Sequence, residues 1–468
     1  MTKPIIKWLI TLSLCLLNPE AIAEDRSSID LIIKGDYIVT MNDADQIIRQ
    51  GAVAVESGAI VAVGPFVDID RRYRAKETLS GEERLVMPGL INGHSHAAMT
   101  LLRGIADDLS LSEWLNDYIF PAERTFVDPE FVRLGTELAC WEMVRGGTTT
   151  FVDMYYHSET IAQVVDTCGM RAFVSATVID QKSPDANDAE ESLKNAVRFV
   201  TKWQGKHPRI TPIFGPHANY TLNTSQLRAT RDAARKLGAP ISIHMAESMF
   251  EVEYARDNYG MGSVSMFESI DFFDGPTIAA HMVWPSEQEI RILAERSVGV
   301  IYNPTSNMKT AAGVAPIVRM LEEGVAVGIG TDGAASNNDL DMWEEMRIGG
   351  LLQKVNHMDP KVLSAKTVLS MATRMGADAI GLADSIGSLE SGKRADLIQI
   401  MLDDVHHLPI YDVISHLVYV TDEQDVDSVI VDGSILMRDG RPLRIDRERV
   451  RQAAAALAQN IQIKMKEL

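Results

Sequence analysis

Residues 30–80 consist of short runs in which apolar side chains recur at alternate positions or fill the run. Leu31–Lys34, Tyr37–Thr40, Gly51–Glu56 and Ala59–Val63 therefore read as strands. Ser57-Gly58, between the last two, predicts a two-residue hairpin turn. The same style returns near the far end of the chain. Ala395–Ile400 is strand-like, and Asp432-Gly433 divides Val429–Met437 into the arms of a second hairpin. The two β-rich segments are expected to fold together as a small β-sandwich domain, with everything between them inserted.

The insert has a different rhythm. Strand-like runs at Leu85–Asn92, Thr148–Met154, Arg171–Ile179, Arg209–Gly215, Pro240–His244, Thr277–His281, Val298–Tyr302 and Val325–Ile329 alternate with stretches of helical spacing such as Glu130–Arg145 and Ser225–Leu237. Repeated strand–helix units of this kind predict an α/β fold, a closed (β/α)8 barrel of the TIM type. The competing architecture is a doubly wound open sheet, which would place a glycine-rich phosphate turn after its first strand. This chain has His94 and His96 there. At the end of the chain Val450, Ala454, Leu457 and Ile461 follow Asp446 at helical spacing, which reads as a capped packing helix. The expected organisation is a first β part at 24–84, the barrel at 85–385, a second β part at 386–445 and a helix at 446–468.

Chemistry in such a barrel collects at the C-terminal ends of the strands. His94 and His96 end the first strand, and residues two apart on a strand point the same way. The fourth strand runs into His217, the fifth ends in His244 with Glu247 close behind, the sixth ends in His281, and the eighth runs into Asp332. Read singly, each has an ordinary role, such as a core histidine bonded to backbone or an aspartate capping a helix. Together at five strand ends they predict a metal centre of imidazoles and carboxylates. His157, His207, His357, His406, His407 and His416 lack such placement and are assigned to structure or surface.

Composition narrows the partners. A formal net charge of -20 argues against nucleic-acid binding, which needs a basic face. Lys3 and Lys7, the apolar run Trp8–Leu17 and Ala21-Ile22-Ala23 have the layout of an export signal cleaved near Ala23. That run is shorter than the ~20 residues a spanning helix needs, so cleavage of residues 1–23 is expected to leave a mature periplasmic chain with no membrane anchor. Cys15 raises a lipoprotein reading, but Leu14 stands where a small residue belongs. Cys140 and Cys168 would remain, as one disulfide or, since both lie in apolar segments, as two buried thiols. The absence of a CxxC pair removes a thiolate zinc site from consideration.

The stretches Pro88–Arg103, Phe151–Tyr155, Gly215–Asn219, His244–Glu247, Asn303–Lys309 and Gly330–Asn338 resemble the amidohydrolase superfamily, and within it the aminohydrolases that deaminate 5′-methylthioadenosine and S-adenosylhomocysteine. The resemblance implies a divalent metal, Zn²⁺ with Fe²⁺ as the alternative, bound by His94, His96, His244 and Asp332. It implies that His281 and Asp332 take and orient the proton of a metal-activated water, and that Glu247 protonates the ring nitrogen beside the carbon under attack. Gly215-Pro216-His217 offers no lysine to bridge two metals, so one ion per chain is expected. Among substrate contacts the resemblance implies Glu123 for ribose hydroxyls, His217 near the ring, Trp114 at the mouth, Arg171 on the third strand and Ser336 beside the metal. After the third strand Asp180-Gln181-Lys182-Ser183 stands where the family can carry a further arginine. The implied partner is a small molecule, and self-association is left open. The nearest rival reading is deamination or dechlorination of another heteroaromatic ring, such as a triazine, a pterin or a guanine-like base. A non-catalytic binding protein on the same barrel would show the loss of a ligand, and none is lost.

Overall fold

The computed structural model describes residues 26–465. The expected export signal lies outside them. The chain opens with β1 (Ser27–Val39), β2 (Ile47–Glu56), β3 (Ala59–Pro65), β4 (Tyr73–Leu79) and β5 (Arg84–Pro88). Eight strands of the insert follow: β6 (Leu90–Ser95), β7 (Thr148–Tyr155), β8 (Arg171–Val178), β9 (Ile210–Pro216), β10 (Ile241–Met245), β11 (Thr277–His281), β12 (Gly299–Tyr302) and β13 (Val327–Ile329). The chain returns through β14 (Leu397–Met401), β15 (Val426–Val431), β16 (Ser434–Arg438) and β17 (Arg441–Pro442), and ends in the helix Arg447–Met465.

The terminal segments form one nine-stranded sheet in the order β17-β16-β15-β14-β5-β1-β2-β3, with β4 also pairing β1. Both predicted hairpins are present. Ser57 and Gly58 have φ of 51° and 77°, and Asp432 and Gly433 have 52° and 75°, the double positive-φ turn that suits twisted strands. The turns pack on each other so closely that a Cβ on Gly433 would lie 2.7 Å from Gly58 Cα. This contact joins the two ends of the chain.

Two details differ from expectation. Leu31–Lys34 and Tyr37–Thr40 belong to one long strand, β1, whose neighbour changes along its length: β4 pairs with its first half and β5 with Tyr37 and Ile38. The run Leu85–Asn92 is two strands. Its first half pairs with β1 and β14, whereas its second half pairs with β7. Gly89 is the break, and a Cβ there would come within 2.2 Å of the Thr149 hydroxyl oxygen. The unanticipated helix Phe66–Arg72 covers the outer face of the sheet, where Ile69 packs with Ile29, Ile32, Ala52 and Ala54.

The eight parallel strands form a nearly closed barrel in sequential order from β6 to β13. Its seam is closed by a side chain. Asn92 Oδ1 accepts the backbone N–H of Thr331 at 3.1 Å, and Asn92 Nδ2 donates to Thr331 Oγ1 at 2.8 Å. Gly330 permits the close approach, since a Cβ there would meet His94 N at 2.7 Å. Ile91, Val152, Phe173, Ile213, Ile278 and Ile301 pack together with Ala377 and Ile380 from the helix Arg374–Ala379 and its C-cap. This apolar plug fills the lower barrel and leaves the C-terminal strand ends for a cavity. Cys140 and Cys168 are buried and unpaired. Among the described residues no helix is long and apolar enough to cross a membrane.

Candidate metal centre and active site

His94 and His96 leave the end of β6 toward the barrel axis, while Ser95 between them turns away to donate to the Val152 carbonyl at 3.0 Å. Asp332 sits just past β13, and its backbone N–H donates to the His94 carbonyl at 3.0 Å. Asp332 Oδ1 then lies 3.4 Å from His94 Nε2 and 3.1 Å from His96 Nε2. His244, at the end of β10, brings its Nε2 to 3.2 Å from His96 Nε2. Four residues from three distant stretches thus converge.

The donor atoms fit a metal ion. Ligands about 2.0–2.1 Å from a tetrahedral ion stand roughly 3.3 Å apart, close to these separations. The outer nitrogens set the tautomers. His96 Nδ1 donates to the Met154 carbonyl at 2.5 Å and His244 Nδ1 to the His217 carbonyl at 2.9 Å, which leaves both Nε2 lone pairs facing the centre. Asp332 Oδ2 accepts from Ser306 Oγ at 2.7 Å and Ser336 Oγ at 2.9 Å. Asp332 Oδ1 and His94 Nε2 are buried with no hydrogen-bond partner, the state expected of atoms kept for a cation.

The backbone is strained at this rim. Asp332 has φ 63°, His281 has φ 77° and Ala246 has φ 51°. Left-handed conformations of non-glycine residues cost about 1 kcal/mol or more each, and they persist where surrounding bonds hold them. Here they swing the Asp332 and His281 side chains over the strand ends. His281 Nδ1 meets the amides of Asn307 at 3.1 Å and Asn303 at 3.3 Å, and its Nε2 lies 3.9 Å from Glu247 Oε1. Burial pushes the His281 imidazole down to about 3, so the ring is neutral.

Glu247 follows the bend after β10. Its backbone N–H and that of Ala246 donate to the two carboxylate oxygens of Glu251, each at 2.8 Å, so a buried helix residue clamps the bend. Burial, with the Asp332 and Glu251 charges, holds the Glu247 carboxyl well above the usual range.

These groups open into a cavity of about 610 Å³, counted out to its mouth. Glu123, Trp114, His217 and Ser336 line it. Glu123 is buried in the helix Phe120–Phe126, and Tyr156 donates to it at 3.2 Å. Burial pushes it up to about 7, against the Tyr155 and Tyr156 hydroxyls. Trp114 begins a π-helical stretch, Trp114–Ile119, in the segment that roofs the cavity. Burial, and then the neighbouring His96 and His94, push His217 down to about 3.

Arg171 is a correction. It begins β8, and seven residues at ~3.3 Å rise put it roughly 20 Å from the strand end where the cavity lies. Its guanidinium bonds to Asp396 at 2.6 and 3.1 Å and reaches Asp432 at 3.4 Å. It therefore ties the barrel floor to the β domain and touches no part of the cavity. Its position in the strand, first residue rather than last, was the available signal. Ser306, Asn303, Asn307 and Glu251 were not singled out from the sequence as site residues. They lie outside the barrel strands, and only folding brings them behind the groups they orient.

Known proteins share this arrangement over almost the whole chain. A 5-methylthioadenosine/S-adenosylhomocysteine deaminase of Desulforudis audaxviator is 44% identical over 432 residues, covering 92% of this chain and 99% of its own length. A 5'-deoxyadenosine deaminase of Methanosarcina mazei is 42% identical over 433 residues, covering 92% and 98%. The crystal structure of an adenosine deaminase from Xanthomonas campestris with bound zinc superposes with a TM-score of 0.91 at 36% identity, covering 94% of this chain and 100% of that one. The amidohydrolase family pattern matches residues 85–436, and with the converging histidines and aspartate at the mouth of a (β/α)8 barrel this places the chain in the amidohydrolase family.

Proposed function

We propose that the protein hydrolyses the exocyclic amino group of an adenine nucleoside, such as 5′-methylthioadenosine, S-adenosylhomocysteine or adenosine, to give the inosine analogue and ammonia. The observation that carries this reading is Glu247, a buried carboxyl that lines the cavity beside the metal centre, where burial strengthens its hold on a proton. Ring deamination needs that group, because a ring nitrogen must gain a proton as the adjacent carbon is attacked.

His94, His96, His244 and Asp332 would hold one divalent ion, Zn²⁺ or, as the alternative, Fe²⁺, which when bound makes a water nucleophilic near neutral pH. The remaining work falls to side chains of this chain. Glu247 gives its proton to the ring nitrogen and so makes the amino-bearing carbon electrophilic. Asp332, its Oδ2 pinned by Ser306 and Ser336, receives the proton of the attacking water, and neutral His281 orients that water. That proton passes on to the amino group, which leaves as ammonia, while the new hydroxyl becomes the ring carbonyl and its proton returns to Glu247. Glu123 accepts hydrogen bonds from two ribose hydroxyls. Trp114 and Phe120 wall off the ring from solvent, and neutral His217 faces it.

The relatives named above support the nucleoside class, and Glu123 favours it over triazines and pterins, which carry no ribose. The test is ammonia release from adenosine, 5′-methylthioadenosine and S-adenosylhomocysteine, measured beside aminated pterins and chlorotriazines. Turnover of at least one nucleoside above all the other rings is expected, and silence on every nucleoside defeats the proposal. We also propose that residues 1–23 direct export, which amino-terminal sequencing of the periplasmic protein would check by finding a start near Glu24.

A further inference from the structure

The segment between β14 and β15 gathers three histidines that the strand-end site does not use. His406 and His407 close the short turn Val405–His407, and Asp425 closes the turn Glu423–Asp425. His406 Nε2 and His407 Nε2 each lie 3.3 Å from Asp425 Oδ1, and the three atoms fall within 4.8 Å of one another. The two 3.3 Å separations match the edge of a tetrahedron about an ion with ligands roughly 2.0–2.1 Å away.

His407 supplies an independent sign. It is fully buried, yet its Nε2 has no hydrogen-bond partner, because the nearby carboxylate oxygen lies out of line. Its Nδ1 is 2.8 Å from His416 Nε2. A proton on Nδ1, donated to His416, fixes the tautomer and leaves the Nε2 lone pair free on the side of Asp425. Asp425 is also held in place, since its Oδ2 accepts the Asp422 backbone N–H at 2.9 Å. A buried imidazole nitrogen without a partner is unfavourable, and a cation would offset that cost.

We propose that His406, His407 and Asp425 form a second metal site, selective for a borderline divalent ion such as Zn²⁺, with water in the remaining position. Imidazole and carboxylate donors suit that ion better than Mg²⁺ or Ca²⁺, which prefer oxygen throughout. The site lies far from the catalytic cavity. Arg145, at the end of the helix that leads into β7, donates to the carbonyls of Glu423 and Gln424, so the cluster packs below the barrel's N-terminal end. There an ion would clamp the loop leaving β14 to the turn entering β15.

The experiment loads the full-length enzyme with one equivalent of Zn²⁺ at the strand-end centre and titrates it with further Zn²⁺ by calorimetry, with melting temperature followed in parallel. Wild type takes up one further equivalent and melts higher as it fills. His406→Ala, at a half-exposed position, keeps the first equivalent but loses the second together with the Zn²⁺-dependent rise in melting temperature. Failure of wild type to take up a further equivalent, or uptake by His406→Ala equal to wild type, overturns the proposal. Neither readout depends on which substrate the enzyme hydrolyses.

Discussion

Replacing Arg171 with methionine separates a structural role from a substrate contact. The guanidinium is 8% exposed and the Asp396 carboxylate 2%, so the pair is shielded from solvent. Removing one member of a buried pair costs about 3–5 kcal/mol, mainly because the other charge stays buried without its partner. Two contacts soften the loss: Asp396 Oδ1 also accepts the Asp432 backbone N–H at 2.7 Å, and Asp432 keeps its ion pair with Arg394. The lower figure, about 3 kcal/mol, is therefore expected. An unfolding entropy of about 2.1 cal/mol/K per residue gives about 1 kcal/mol/K for a chain of this length, so Tm should fall by about 3 °C. Urea unfolding should show the same loss as a lower midpoint with an unchanged slope. Adding Asp396→Asn, which keeps an oxygen for the Asp432 N–H but removes the orphaned charge, should recover part of it. Because the pair lies at the barrel floor, kcat/KM should stay within twofold of wild type. A tenfold fall in kcat/KM with an unmoved urea midpoint would return Arg171 to the substrate contacts and refute the reasoning.

Three further outcomes follow from the site. Glu247→Gln keeps shape and polarity but has no acidic proton to give, so kcat should fall by about 10²–10⁴ while bound zinc, measured by metal analysis, stays at the wild-type level. Ser306→Ala removes one of the two hydroxyls that hold Asp332 Oδ2, and competition with a chelator should show metal affinity weakened by about 10–100-fold. Glu123 is pushed up to about 7, so it gains a proton as pH falls through that value and loses accepting capacity for the ribose hydroxyls. KM for a nucleoside should accordingly rise on the acid side of pH 7, and this limb should vanish in Glu123→Gln; a KM flat from pH 6 to 8 in wild type would contradict the assignment.

Much of this protein is legible without coordinates because its chemistry is tied to strand ends. A strand of period two ending in His94-Ser95-His96 points both imidazoles one way whatever surrounds it, and parallel strands in a barrel all end at one rim. The gathering of histidines and carboxylates at the strand ends and the hairpin turns Ser57-Gly58 and Asp432-Gly433 could therefore be read from local pattern, whereas the ligand set and the acid role of Glu247 came from the family resemblance. Tertiary structure decided what local pattern cannot carry. Leu85–Asn92 reads as a single run, yet its halves join different sheets, because the change of partner at Gly89 depends on the approach of Thr149. Arg171 has the same residue type whether it faces a substrate or a floor, and only the 225-residue reach to Asp396 settles which. Ser306, Asn307 and Glu251 orient the reacting groups from outside the barrel strands. His406 and His407, set aside for want of a strand end, meet Asp425 across a turn. Periodicity tells which way a side chain points; what it meets depends on long-range packing, which the chain order does not encode locally.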